Sequence, residues 1–210
     1  TETLRWVSVY SGFVNWDGTP WTGKHGGLIK LQNQKPLWQG SSAVGWANAA
    51  GSWQDERSIS GHGNIPAAHG RFLGYYKHGK RVVFHYEVLG ADVLDMVVQG
   101  QGSSFDSLRV DRHLRVGRRD QSLTVLLADE AQGFEVDGLS ARSASGAQWL
   151  VSGSALKGIK LEQTAAHQLV LTLPAGKEHL QLQIACGFGK PNAATAICLL
   201  YTSPSPRDRG

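Results

Sequence analysis

Apolar and polar residues alternate through most of the chain from residue 72 onward, and this period of two is typical of half-buried β-strands. In the first two strand patterns, the residues expected to face inward are Val82, Phe84, Tyr86, Val88, Leu94, Met96 and Val98. Three later stretches repeat the pattern, with the inward residues Leu123, Val125, Leu127, Leu169, Leu171, Leu173, Leu180, Leu182 and Ile184. Parallel strands covered on both faces would instead read as continuous apolar runs, so the alternation favours antiparallel sheets.

Turn signals separate these strand patterns. Glycine-containing stretches at residues 77–81 and 89–92, and the Asp137-Gly138 pair, are typical of tight hairpin connections. No segment shows a sustained helical stripe, and about ten to twelve short strands are expected. The sequence therefore predicts an all-β fold, an antiparallel, jelly-roll-like β-sandwich of two packed sheets with a long Trp-rich loop. A β-propeller is the alternative, but no repeat of about 40 to 50 residues is visible.

The Trp-rich loop covers residues 33–70 and shows little alternation. Six of the seven tryptophans lie within the first 53 residues. Their indoles suit a carbohydrate-binding platform, and the alternative is that they pin the loop onto a sheet by burying large apolar areas. The candidate ligand-binding residues are Trp16, Trp21, Trp46, Trp53, Asp55 and Arg57. Trp16 and Trp21 flank a turn and are the strongest candidates for exposure.

The last residues of the chain have a different character. Residues 198–208, CLLYTSPSPRD, match one translation of a transposase adaptor used in preparing DNA for sequencing. Residues 198–210 are therefore interpreted as an artefactual tail, which is set aside before fold reasoning. We expect residues 1–197 to form a single β-sandwich domain, taken from a longer protein and truncated at both ends.

Composition argues against several classes of protein. The formal net charge is +4, and the basic residues are scattered except in residues 109–119, where apolar residues alternate with them. A strand with a solvated face explains that run better than a nucleic-acid footprint does. No run approaches the length of a membrane span. Once Cys198 is discounted, Cys186 is the lone cysteine, and we expect it to be a small buried hydrophobe.

The familiar catalytic and cofactor motifs are missing from the sequence. Four histidines precede glycine, but none of their spacings is typical of a metal site. GFGKP at residues 187–191 lacks the spacing of a phosphate-binding loop, and no G-x-S-x-G motif is present. We expect no metal, cofactor or catalytic residue in this part of the parent protein. Carboxylates on different strands leave a polysaccharide hydrolase or lyase as an open alternative.

Three stretches of the chain resemble one family. They are TETLRWVSVYSGFVNWDGTPWTGKHGG, GWANAAGSWQDER and RFLGYYKHGKRVVFHYEVLGADVLD, with the block from Gly74 to Val83 the most specific. Together they look like the uncharacterised N-terminal β-rich domain of large secreted proteins of planctomycetes and verrucomicrobia. In those proteins the domain precedes a region similar to quinone-dependent sorbosone or glucose dehydrogenases and, often, a cytochrome c domain.

The resemblance implies a periplasmic or secreted protein whose redox machinery lies outside this chain. It implies a non-catalytic accessory or docking domain, with downstream domains of the same parent chain as its partners. A carbohydrate-binding module that takes a polysaccharide on an aromatic platform is the alternative. A docking domain is expected to expose a contiguous apolar patch on a sheet or an edge.

Overall fold

A computed structural model describes residues 3–11, 14–15, 30–31, 35–41, 43–57, 63–101 and 107–189. The predicted tail at residues 198–210 lies outside the described residues. Fifteen strands are present in the described part, and no helix is found there. The strands are β1 (Ser8–Val9), β2 (Val14–Asn15), β3 (Lys30–Leu31), β4 (Trp38–Gln39), β5 (Gly70–His78), β6 (Arg81–Val88), β7 (Ala91–Gln99), β8 (Ser107–Val116), β9 (Leu123–Asp129), β10 (Phe134–Asp137), β11 (Ser140–Ser143), β12 (Gln148–Gly153), β13 (Lys160–Gln163), β14 (Gln168–Leu173) and β15 (Leu180–Gly189).

The larger layer of the fold is an eight-stranded sheet in the order β10-β11-β12-β15-β8-β7-β6-β5. Every pairing in it is antiparallel. Strands β5 to β8 follow one another as a meander, and the β6–β7 turn has positive φ at both Leu89 and Gly90. Two positive φ angles match the twist of a tight hairpin. The turns predicted at residues 77–81, at residues 89–92 and at Asp137-Gly138 are all confirmed.

The second layer is built on the three-stranded sheet β13-β14-β9. The loop segment around Trp46 lies along the other edge of β9. Its backbone forms two hydrogen bonds with that strand, from Ala47 N to Thr124 O at 2.9 Å and from Leu126 N to Gly45 O at 2.8 Å. Part of the Trp-rich loop thereby extends the smaller sheet. Two short antiparallel pairs, β1 with β4 and β2 with β3, complete the described strands.

The two layers enclose one hydrophobic core. The larger sheet contributes Tyr86, Val93, Leu114, Val116, Trp149, Leu180, Leu182 and Ile184, and the smaller sheet contributes Leu123, Val125, Leu127, Leu161, Leu169, Leu171 and Leu173. All nine residues expected to face inward in β9, β14 and β15 are buried. The predicted all-β antiparallel sandwich is therefore confirmed.

The alternation in β7 has the opposite phase from the one expected. Ala91, Val93 and Asp95 are buried, whereas Leu94 and Met96 lie half-buried on the outer face. Val98 is on that outer face too. The expected phase was wrong because it placed the larger apolar residues on the inner face. The inward-facing set instead includes Asp95, whose charge is paired with Arg112 inside the protein.

No helix long and apolar enough to cross a membrane occurs among the residues that the structure describes.

Leu171 provides a test of the core. Its side chain is fully buried between the layers, so Leu171→Ala is expected to lower the free energy of unfolding by about 2–5 kcal/mol through lost burial and a residual cavity. Urea denaturation monitored by tryptophan fluorescence measures this. Leu73→Ala, at an exposed position on β5, is the matched control and is expected to change stability by at most about 0.5 kcal/mol. Equal effects of the two substitutions would contradict the assigned core.

Candidate functional site

A buried ion pair lies on the inner face of the larger sheet. Asp95 on β7 and Arg112 on β8 are both buried, and the Arg112 guanidinium binds the carboxylate with two nitrogens. Its Nε lies 3.1 Å from Oδ1, and its Nη2 lies 2.7 Å from Oδ2 of Asp95. This bidentate geometry is the strongest form of an arginine–carboxylate contact.

Three aromatic residues complete the environment of the Asp95 carboxylate. The Tyr86 hydroxyl donates a hydrogen bond to Oδ2 at 2.9 Å, and Trp6 Nε1 donates to the same oxygen at 3.4 Å. Trp46 Nε1 in turn donates to the Tyr86 hydroxyl at 3.2 Å. The network joins the N-terminal segment, the Trp-rich loop and three adjacent strands through one carboxylate.

The network fixes the charge states of Tyr86 and Arg112. Burial raises the pKa of Tyr86, and the negative charge of Asp95 raises it further. Burial alone would lower the pKa of Arg112, but the attraction of Asp95 outweighs it and raises that pKa above its ordinary value. Tyr86 therefore stays a neutral donor and Arg112 stays a cation, which leaves a satisfied, neutral pair.

A cavity of about 120 Å³ opens beside this pair. Leu4, Arg5 and Trp6 of the N-terminal segment line one side of it, opposite Phe72, Phe84 and Tyr86 of the larger sheet, with Asp95 also in the lining. Ring centroids lie 6.3 Å apart for Trp6 and Phe84 and 6.5 Å apart for Phe72 and Phe84. We call this the aromatic cavity. Its lining is mainly apolar, with polar atoms confined to a few places.

Arg5 anchors the N-terminal wall of the aromatic cavity. Only 1% of its side chain is exposed, and its Nη2 lies 2.5 Å from Oδ1 of Asp129 at the end of β9. Its Nη1 donates to Ser41 O at 2.6 Å, and the backbone nitrogen of Ser41 donates to Asp129. The Nε atom of Arg5 is buried and has no partner among the described residues.

Strand β5 forms one edge of the larger sheet next to the aromatic cavity. Four of the six exposed large apolar residues in the described part lie on this strand, namely Phe72, Leu73, Tyr75 and Tyr76. Tyr75 and Tyr76 are 64% and 58% exposed. No described strand pairs with the free side of β5. We call the strand with these side chains the β5 edge.

A β-bulge sets the directions of the side chains on the β5 edge. The register with β6 shifts between Phe72 and Gly74, so that Phe72 lies opposite Tyr86 and Tyr75 lies opposite Phe84. Because Tyr86 and Phe84 point to the same face, Phe72 and Tyr75 share the inner face, beside the aromatic cavity. Gly74 has a φ of 148°, which an L-residue rarely adopts, so the bulge depends on this glycine.

The other face of the β5 edge carries a polar contact. The Tyr76 ring stacks on His85 with centroids 5.8 Å apart. His85 Nε2 lies 2.5 Å from Oδ1 of Asp92. Both ring nitrogens of His85 face a neighbour, since the Tyr76 hydroxyl lies 3.4 Å from Nδ1. The contact fixes the orientation of Tyr76 on the outer face.

The residues predicted from the sequence to bind a ligand do not form one cluster in the described structure. Trp16 and Trp21 lie outside the described residues. Trp46 is 1% exposed and lies in the core, so its ring faces are covered by protein rather than open to a sugar. Trp53 is half-buried and packs against the same core. These two indoles hold the loop on the sheet, the alternative considered for the Trp-rich loop.

Asp55 and Arg57 form an ion pair with each other. Arg57 Nε lies 2.8 Å from Oδ1 and its Nη2 lies 2.6 Å from Oδ2 of Asp55. The side-chain hydrogen bond from Arg57 lowers the pKa of Asp55. The four described candidates, Trp46, Trp53, Asp55 and Arg57, do not line the aromatic cavity. The structure thus does not bring them together into one site with that cavity.

Sequence reasoning missed Asp95 and Arg112, although a signal for them exists. Arg112 interrupts the apolar phase of Val110, Leu114 and Val116 in β8, whereas the alternation in residues 109–119 predicts a solvated face for the charges of this run. When two neighbouring strands each carry a charged residue at a position that otherwise alternates as apolar and inward-facing, and the two charges are opposite, a buried ion pair is indicated. Reading β7 with Val93 inward would have revealed its partner.

Metal and thiol chemistry receive no support from the described residues. No group of three or more histidine, cysteine, aspartate or glutamate side chains that could hold a metal ion is found among them. Cys186 packs partly buried against the core, and burial raises the pKa of its thiol to about 12. That thiol is protonated at neutral pH and behaves as a small apolar group.

The stretch of chain that contains the aromatic cavity is similar to an uncharacterised domain. Residues 1–95 match the family model described as a domain of unknown function, DUF6797. All seven residues that line the aromatic cavity, and the whole of β5, lie within this stretch. No curated protein and no solved structure matches the chain. The match ends inside β7, so the larger sheet continues beyond it.

The ion pair gives a prediction about stability. Arg112→Met leaves the Asp95 carboxylate buried without a counter-charge and is expected to cost about 3–5 kcal/mol of unfolding free energy in urea denaturation. Adding Asp95→Leu removes the stranded charge, so the double variant is expected to be more stable than Arg112→Met alone. Arg115→Met, at an exposed position on the same strand, is the control. The assignment fails if the double variant is less stable than Arg112→Met.

The Arg5–Asp129 anchor gives a prediction about pH. Burial alone would raise the pKa of Asp129, but hydrogen bonds from Ser41 and the charge of Arg5 outweigh it, and the folded-state pKa is lowered. A lowered folded pKa contributes stability above the unfolded value of about 3.9 and loses it as the pH falls through the folded pKa. Asp129→Asn is therefore expected to destabilise the protein at pH 7 and to make less difference near pH 3, as urea midpoints would show. The control is Asp120→Asn, because the Asp120 carboxylate is exposed at the surface. This substitution is expected to change the urea midpoint at neither pH. An effect of Asp129→Asn that does not depend on pH would contradict the assignment.

Proposed function

We propose that this chain is a non-catalytic docking domain that binds an extended segment of a partner polypeptide along the β5 edge. Strand addition of this kind uses main-chain hydrogen bonds for affinity and side-chain pockets for specificity. The observation that carries the proposal is the concentration of exposed apolar side chains on one edge strand of nine residues, whose free side pairs with no described strand. This strand lies within the stretch that matches the uncharacterised family.

The aromatic cavity supplies a side-chain pocket for such a segment. Its volume of about 120 Å³ is close to the roughly 150 Å³ that accommodates a benzene ring in a dry protein cavity. Phe72 both lines the cavity and is exposed on β5, which supports a continuous path from the strand edge into the pocket. We infer that the partner segment inserts one aliphatic or aromatic side chain there.

The charges near the β5 edge favour an acidic partner segment. Lys77 near the end of β5, Lys80 in the turn that follows and Arg81 at the start of β6 are all exposed. None of these three forms an ion pair with another described residue, in contrast to Arg71, which pairs with Glu87 at 3.2 Å. A segment with acidic residues beside this turn would bind with a complementary charge.

We propose further that the partner segment belongs to another domain of the same exported parent protein. The support is the sequence resemblance, which implies a parent with dehydrogenase-like and cytochrome c regions in the periplasm or outside the cell. The docking domain would then hold its neighbour in place without a cofactor of its own.

Selection of linear peptides against the full chain tests the docking proposal. We expect selected peptides to contain an apolar residue and acidic residues, and to bind with a Kd that isothermal titration calorimetry can measure. Tyr75→Lys and Phe72→Lys are each expected to weaken binding by about tenfold or more, because they replace apolar contact area with charge. Val136→Lys is the matched control, since Val136 is also an exposed apolar residue, on the opposite edge strand β10.

Methylation of the peptide amides distinguishes strand addition from simple adhesion. N-methyl groups at every second position are expected to abolish binding, and those at the intervening positions to be tolerated, because only alternate amides face the β5 edge. Binding that survives every single methylation overturns the proposal. A chain that forms stable dimers through β5, disrupted by Tyr75→Lys in light scattering, would also overturn it in favour of self-association.

A further inference from the structure

A second concave site lies at the opposite end of the larger sheet, where β10 is the edge strand. This groove has a volume of about 460 Å³, within the roughly 300–1,000 Å³ typical of small-molecule sites. Its polar lining residues are Gln132, Glu135, Arg142, Gln148, Gln163 and His167, together with Ser143. We call it the β10 groove.

Three of these side chains form a row across adjacent strands. Glu135 on β10 lies opposite Arg142 on β11, which lies opposite Gln148 on β12. Residues directly opposite in antiparallel strands point to the same face. Within the described part of the chain, Glu135 and Arg142 form no ion pair and Gln148 forms no side-chain hydrogen bond. A carboxylate, a guanidinium and a carboxamide are therefore available together.

The other wall of the β10 groove is held in a fixed geometry. Gln163 Oε1 accepts a hydrogen bond from the backbone nitrogen of Phe134. Gly133 has a φ of 73°, and a Cβ atom at this position would lie 2.5 Å from Gln163 Oε1 and 2.7 Å from His167 Nδ1. The absence of a side chain at Gly133 thus lets the amide and the imidazole approach the backbone closely. His167 itself has a positive φ of 57°, a sparsely populated conformation for a residue with a side chain.

The composition of the β10 groove selects a class of ligand. One carboxylate and one guanidinium balance each other, so a strongly charged ligand gains no net attraction. Three carboxamides add both donors and acceptors. Adjacent hydroxyl groups of a sugar both donate and accept, and a mixed set of this kind satisfies them in pairs.

We propose that the β10 groove binds a short neutral oligosaccharide, with Glu135, Arg142 and Gln148 contacting its hydroxyl groups. The site is separate from the β5 edge, and its residues lie outside the stretch that matches the uncharacterised family. It also differs from the tryptophan platform considered from the sequence. Either proposal can therefore fail without the other.

Titration of the full chain with neutral oligosaccharides tests this inference. The probes are tetrasaccharides of β-1,4-glucose, β-1,4-xylose, β-1,4-mannose and α-1,4-glucose, measured by isothermal titration calorimetry. We expect at least one to bind saturably and Arg142→Ala to weaken it by about tenfold or more, because hydrogen bonds to charged groups contribute about that much to affinity. Glu135→Gln is expected to weaken it less, since the amide retains an acceptor.

Two matched variants complete the design. Arg115→Ala removes an exposed arginine from β8 of the same sheet, outside the groove, and is expected to leave affinity unchanged. Tyr75→Lys, on the β5 edge, is expected to leave it unchanged as well. Absence of saturable binding by the folded chain to all four probes at millimolar concentration overturns the proposal. Binding that Arg142→Ala and Glu135→Gln do not change overturns it too, and then places the sugar elsewhere.

Discussion

The rest of the structure depends on the ion pair and hydrogen bonds of the buried Asp95 carboxylate. It accepts hydrogen bonds from Arg112, Tyr86 and Trp6, which come from two neighbouring strands and from the N-terminal segment. Through Tyr86 it also reaches Trp46 and so the Trp-rich loop. A buried carboxylate must find partners or lose its charge. Satisfying it forces segments that are far apart in sequence to meet at one point, which is also one wall of the aromatic cavity.

The two ends of the larger sheet have different chemistry as a consequence of what covers them. At the β5 end, the N-terminal segment lies against the inner face and leaves an apolar cavity and bare aromatic rings. At the β10 end, the turns beside β13 and β14 bring amide and imidazole groups close to short, polar strands. The first surface suits an extended polypeptide and the second a hydroxyl-rich ligand. One sheet thus carries the two proposed recognition surfaces, which share no residues.

Much of the fold follows from local sequence, and the exceptions have physical causes. The inward leucines of β9, β14 and β15 were identified because uninterrupted alternation reports burial directly. The phase of β7 was wrong because Asp95 belongs to the core only when Arg112 on the next strand faces it, and pairing between strands is not visible in a single strand. The burial of Trp46 depends on the loop lying along β9, which local composition does not encode.

Neither proposed recognition surface was visible in the sequence, for a related reason. The exposure of Phe72 and Tyr75 on one face requires the bulge at Leu73, which replaces strict alternation by a spacing of three. The row of Glu135, Arg142 and Gln148 exists only through the pairing of three strands. Sites that depend on register are lost when each strand is read alone. Short sequence motifs therefore do not identify either surface, although the assembled sheet brings the groups together.

The β5 edge also presents an energetic problem that bears on the docking proposal. An open edge strand is a template for pairing with other chains, and natural proteins usually protect it with charges, bulges or short length. Strand β5 has a bulge and charged residues at both ends, such as Arg71 and Lys77, yet its centre presents Leu73, Tyr75 and Tyr76 to solvent. Flanking charges oppose pairing of identical edges, because like charges would meet. Lys77 would attract an acidic segment, while the apolar centre would bury apolar side chains of that segment. A strand that binds one partner and rejects copies of itself requires partial protection of this kind.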